Sequence, residues 1–162
     1  TSGGTSTCPW TFEEKVQNYD YKTIRYPGHY EKFKLLLDLG LLDLETVNVK
    51  GQEVTPRDLF HTVVSPKIDF PEDKDLVVLQ VVCQGSKDNR PKTIKYLILD
   101  YHHDETGLSA MARTTGFAAS IVSILQAKGH SHKGTVSLEK AIPAQEFVEE
   151  LGKRGIQLLQ EA

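Results

Sequence analysis

Two short stretches carry residue types in an order that could do chemistry. Arg25-Tyr26-Pro27-Gly28-His29 brings a guanidinium, a phenol and an imidazole within five positions. Arg113-Thr114-Thr115-Gly116 sets a guanidinium beside two hydroxyls and a glycine. The planar fork of arginine fits a carboxylate through two parallel hydrogen bonds. Histidine has the one side chain whose unperturbed pKa lies near neutrality, as proton transfer at pH 7 needs. Tyr26 adds a hydroxyl donor. The pattern points to carboxylate binding by Arg25 and Arg113, with acid–base work by His29 and a hydrogen bond from Tyr26. Each stretch also has a plainer reading. Pro-Gly makes a turn, His29 begins a helix and Tyr26 is core; Thr114 or Thr115 caps a helix and Arg113 is solvated.

The elements around these stretches would position them. Phe117, Ile121, Val122, Ile124 and Leu125 recur at helical spacing, Lys128 falls in the last turn and Gly129 stops the helix. A helix start near Thr114 and Thr115 would leave backbone N–H groups unpaired, and such groups attract anions. Upstream, Tyr19 to Tyr26 alternates large or β-branched side chains with polar ones, which predicts a strand ended by Pro27 and Gly28. His29 to Leu39 follows as a helix stopped by Gly40. Arg25 and His29 then sit where a strand hands over to a helix. Backbone N–H groups around Ser2, Gly3 and Gly4 are further candidates to line a site, with a flexible tail as the alternative.

The rest of the chain supplies a sheet and its cover. Trp10 to Val16 reads as a turn or short helix, and Val47 to Val49 as a short strand. Thr55 and Pro56 open a helix, at its N-cap and first position, that fails near Pro66. Asp75 to Gln84 and Thr93 to His102 are two β-branched runs joined by the polar turn Gly85 to Pro91, a long antiparallel hairpin. Val136 to Ile142 reads as extended, Ala144 to Lys153 as an amphipathic helix, and Ile156 to Leu159 as a last strand. The expected fold is α+β: a mostly antiparallel mixed sheet of about five strands with helices on one face, as a single domain over 1–162.

Composition narrows the function classes. The chain has 162 residues, a formal net charge of −3 and 39% hydrophobic residues. This does not suggest a general nucleic-acid or membrane-surface role. No apolar run is long enough for a transmembrane helix and no secretory signal is visible. Cys8 and Cys83 have no CxxC spacing and read as free thiols of a reducing compartment, hence a cytoplasmic location. No GxGxxG follows a strand, no GxxxxGK[ST] occurs and no HExxH is present, so neither a dinucleotide loop nor a metal centre is expected. His102-His103-Asp104-Glu105 reads as a solvated strand end, and His130 and His132 as surface loop residues. The opening TSGGTST, without methionine, reads as the interior of a longer protein.

Four stretches resemble the saccharopine dehydrogenase and lysine dehydrogenase family: TSGG at the start, KTIRYPGHYEKFKLLLDLGL over 22–41, AMARTTGFAASIVSILQAKG over 110–129 and EKAIPAQEFVEELGKRGI over 139–156. They occur in the same order and span nearly the whole chain. Ala118 departs from the family, which often has proline there. The resemblance implies the C-terminal, substrate-binding part of a GAPDH-like two-domain enzyme, whose N-terminal Rossmann domain binds NAD or NADP. It implies an oxidoreductase acting on an amino acid C–N bond in lysine metabolism, on saccharopine, lysine or a carboxylated polyamine, or else a non-catalytic dimerisation or regulatory module of the same fold. It implies Arg25, Arg113, Thr114, Thr115, Ser2 and Gly3 as substrate-binding residues facing one crevice, with His29 or Tyr26 catalytic. It also implies dimer contacts through the sheet, and the long apolar hairpin edge predicts a homodimer. The missing phosphate-cradling loop predicts no tight nucleotide binding by this stretch alone.

Overall fold

Residues 6–161 are described by the structure, a computed structural model, the last of them through its backbone alone. The chain divides into two compact units, Thr1–Glu72 and Asp73–Ala162. Ser2 and Gly3 lie outside the described residues.

The first unit holds α1 (Cys8–Thr11), α2 (His29–Asp38), the strands β1 (Val47–Val49) and β2 (Gln52–Val54), and α3 (Pro56–Ile68). β1 and β2 form a hairpin closed by Val49 and Gln52. Lys50 and Gly51 take positive φ at its turn, and the Asn48 side chain accepts the Gly51 amide at 2.9 Å. Sequence reasoning expected only the first of these strands. α3 begins at Pro56 behind Thr55, as expected, and runs two residues beyond Pro66. A proline in the last turn removes one amide from a ladder about to end, so little is lost. The expected strand over Tyr19 to Tyr26 is absent: this segment is irregular, with Ile24 and Tyr26 80% and 90% exposed. Alternation makes a two-faced ribbon possible, but a strand needs a partner ladder, and no strand pairs with it among the described residues.

The second unit is a three-stranded antiparallel sheet in the order β3-β4-β5 with helices on one face. β3 (Leu76–Lys87) and β4 (Arg90–Tyr101) pair along their whole length, Leu76 with Tyr101 and Lys87 with Arg90. Their connection is tighter than the expected seven-residue turn. Asp88 and Asn89, with φ of 53° and 58°, form a two-residue loop of the kind whose twist matches the strands. β5 (Leu159–Glu161) adds at the far edge of β4. The fold is thus α+β, and the five strands among the described residues are split between two sheets, all paired antiparallel, rather than joined in one mixed sheet.

Three helices follow the hairpin: α4 (Ala110–Ala127), α5 (Leu138–Ala141) and α6 (Ala144–Lys153). α5 replaces part of the extended segment expected over Val136 to Ile142. α4 and α6 both end on a glycine in the left-handed region, Gly129 and Gly155, at φ 76° and 79°. At α6, the Gly155 amide donates to the Gly152 carbonyl and the Ile156 amide to the Leu151 carbonyl. This double closure brings two apolar side chains together across the helix end. Leu151 and Ile156 accordingly join Ile121 and Leu125 of α4 in the core, with Ile98, Phe117, Ile142 and Phe147 around them. The last strand starts three residues later than expected because Ile156 belongs to this helix end.

Candidate functional site

α4 starts at Ala110, one turn before the expected position. Ser109 is its N-cap, and its hydroxyl accepts the Ala112 amide at 3.0 Å. The Asp75 carboxylate accepts the Ala110 and Met111 amides at 2.6 and 2.9 Å. The anion seat read from the sequence therefore exists, but it lies four residues upstream and the chain's own carboxylate fills it. The Met111 amide, joined by the Ala110 amide and the His102 charge, holds the Asp75 carboxyl below its ordinary value against an opposing effect of burial. Thr114 is inside the helix, donating its hydroxyl to the Ala110 carbonyl at 2.8 Å. The Thr115 hydroxyl points at the Met111 sulfur, 3.7 Å away. Neither caps the helix.

The earlier start places Arg113 on the buried face of α4, one turn before Phe117. Its Nε and Nη2 donate to Asp100 on β4 at 2.9 and 3.2 Å, and Nη2 also donates to the Arg154 carbonyl at 3.3 Å. The guanidinium carbon lies 5.5 Å from the Phe117 ring centre. Arg113 and Asp100 are 7% and 6% exposed. A buried pair is tolerated only when the remaining polar atoms find partners; here the Arg154 carbonyl supplies one. Arg154 is itself held by Glu150, whose carboxyl is lowered to about 2 by hydrogen bonds from Arg154 and then Lys153. This network ties β4, α4 and the end of α6 together. Asp100 was not a sequence candidate. Its signal was its place at the end of β4, two positions after Ile98, on the same side of the strand.

Arg25, Tyr26 and His29 lie in the first unit, Arg113, Thr114 and Thr115 in the second. Arg25 and Tyr26 are exposed and precede α2 directly. Gly28 takes φ 78°, and the His29 amide donates to the Tyr26 carbonyl at 3.1 Å, closing a turn that sets His29 at the start of α2. The His29 ring stacks on Phe33, one turn along, with centroids 4.6 Å apart. Tyr30, Phe33, Lys34, Leu37 and Leu42 line an open, largely apolar groove beside it. A guanidinium and a phenol in solvent, next to an imidazole fixed on an aromatic ring, can bind a carboxylate and exchange a proton with its neighbour.

The remaining histidines make local contacts. His102 Nε2 lies 3.9 Å from Asp104, which also pairs with Lys74 at 2.6 Å. His103 Nδ1 meets the Thr106 hydroxyl at 2.9 Å, and His130 Nδ1 meets Glu146 at 2.6 Å. Among the described residues no three histidine, cysteine or acidic side chains gather as a metal site. No described helix is long and apolar enough to cross a membrane. With this geometry in place, the comparison with protein families is specific: the model of the saccharopine dehydrogenase C-terminal domain matches residues 7–156.

Proposed function

The chain belongs to the saccharopine dehydrogenase C-terminal domain family, and from that membership we propose that it is the substrate-holding part of an NAD(P)-linked oxidoreductase acting on an amino acid C–N bond. Saccharopine or lysine is the substrate in this reading. The match over residues 7–156 carries it. The described residues hold no glycine-rich turn from strand to helix that would fit a dinucleotide. In this reading the nucleotide would be held outside the described residues and would supply the hydride acceptor.

This chain contributes binding and proton handling. Arg25 fixes a substrate carboxylate, supported by its exposed position ahead of α2. Orientation of this kind supplies much of the rate when two reactants must meet in one geometry. His29 takes the proton of the substrate amine as the adjacent carbon gives up its hydride, which leaves a C=N bond. The same imidazole later assists addition of water to that bond and protonates the departing amine as the carbinolamine collapses to a carbonyl. Its stacking on Phe33 holds the ring in place for both steps. Tyr26 donates a hydrogen bond. Arg113 keeps α4 on β4 through Asp100 and has a structural part within the second unit.

A second reading, a non-catalytic dimerisation module, draws support from β3. Leu76, Val78, Leu79, Val81 and Val82 are each 43–57% exposed on this one strand. The homodimer is part of both readings. Steady-state assays on the full-length polypeptide decide between them. Nucleotide-dependent turnover of saccharopine or lysine that falls in R25A and H29N supports the enzyme. An intact dimer that turns over neither of these nor a carboxylated polyamine leaves the module.

A further inference from the structure

We propose that two copies of this chain pair edge to edge through β3, antiparallel, about a two-fold axis at Val81. One continuous six-stranded sheet, β5-β4-β3-β3-β4-β5, then crosses the dimer. This rests on the homodimer reading above and specifies its geometry.

The backbone of β3 selects the edge and the register. Lys87 and Arg90 close a two-residue loop, so they exchange both hydrogen bonds, and such pairs alternate along an antiparallel ladder. Odd-numbered residues of β3 therefore bond to β4; the Asp75 carbonyl, accepting the His102 amide at 3.0 Å, continues that parity. The N–H and C=O groups of Leu76, Val78, Gln80, Val82, Gln84 and Ser86 point the other way. No described strand pairs with them. A long, apolar, unprotected edge is a template for another strand, and it carries no proline or inward charge that would block one.

A second β3 is self-complementary here. Two-fold pairing of like strands must be antiparallel, and bonding even residues to even residues makes the paired numbers sum to an even value. The register that mates all six outward residues sets Leu76 against Ser86, Val78 against Gln84 and Gln80 against Val82, with Val81 facing its own copy. That register, chosen from the backbone alone, also matches charge. Lys87 comes level with the partner's Asp75, whose carboxylate also holds the start of its own α4, and Asp88 with the partner's Lys74, which also pairs with Asp104. A twelve-residue strand offers an edge roughly 40 Å long. A strip of that length and ~10 Å depth covers roughly 400 Å² per copy, half of the ~800 Å² per partner of a stable interface. The half-exposed Leu76, Val78 and Val82 on one face and Leu79 and Val81 on the other flank the strip and extend it.

Disulfide trapping in the full chain tests the register. In a C8S/C83S background, V81C faces its own copy across a non-hydrogen-bonded pair, at the ~4.5 Å Cα spacing that a disulfide accepts. It should form a covalent dimer on mild oxidation. In a C8S background, L79C faces the partner's Cys83 and should cross-link too, whereas V77C in C8S/C83S, level with the partner's Gly85, should not. V82P removes only an outward amide, so it should weaken dimerisation about tenfold with an unchanged circular dichroism spectrum. A dimer by sedimentation that fails to cross-link through V81C and L79C overturns the edge pairing and leaves the homodimer standing. A monomer at all concentrations overturns both.

Discussion

Arg113 on α4 and Asp100 on β4 meet fork to fork, at 2.9 and 3.2 Å, with both side chains removed from water. The pair joins the helix to the strand that precedes it by a single loop. A guanidinium placed this way fixes where α4 lies on the sheet. It also explains why an arginine stands on a helix face otherwise made of Phe117, Ile121 and Leu125.

Removing one partner strands the other as a buried charge. R113A is expected to lower unfolding free energy by about 3–5 kcal/mol. R113K should recover only part, because an ammonium cannot span both Asp100 oxygens and the Arg154 carbonyl. R113M/D100L should lie far closer to the parent than R113A does. Urea unfolding of the four proteins checks this.

Asp75 predicts a pH dependence. Its carboxyl is held below its ordinary value by the Met111 and Ala110 amides. A depressed folded pKa contributes stability above the unfolded value, about 3.9, and that contribution is lost as the pH falls through the folded value. D75N should therefore be less stable than the parent at pH 7, and the gap should narrow as the pH falls below about 4. Thermal melts of both proteins between neutral and acid pH read it directly.

Gly155 ends α6 at φ 79°, and a Cβ there would sit 3.6 Å from Arg113 Nη2. The space is adequate; the conformation is not. G155A should cost about 1–2 kcal/mol. Denaturant titration would show a lower midpoint with the slope unchanged.

Arg25 carries the substrate prediction. On the proposed function, R25A in the full-length polypeptide should lower kcat/KM for the amino acid by the equivalent of about 2–5 kcal/mol, once bound substrate has excluded water from the pair. The KM of the nucleotide should change little, and R25K should rescue in part. Initial-rate kinetics with each substrate varied in turn separates the two effects.

Local rules determined much of this chain by themselves. Apolar periodicity and the stops at Gly40, Gly129 and Gly155 place α2, α4 and α6, because these C-terminal stops depend on neighbouring residues alone. The β-branched runs around GSKDNRP place the long hairpin for the same reason. Tertiary structure decided what no neighbour dictates. Tyr19 to Tyr26 has a strand's alternation and no described strand beside it, and it is irregular. The start of α4 rests on the adjacent Ser109 cap and on Asp75, thirty-five residues upstream of Ala110; together they set the helix N-terminus at Ala110 rather than Thr114. Moving it turns Arg113 from a solvent-facing candidate into the partner of Asp100. A residue's charge is written in the sequence, but whether it meets a substrate or another side chain depends on which surfaces fold together.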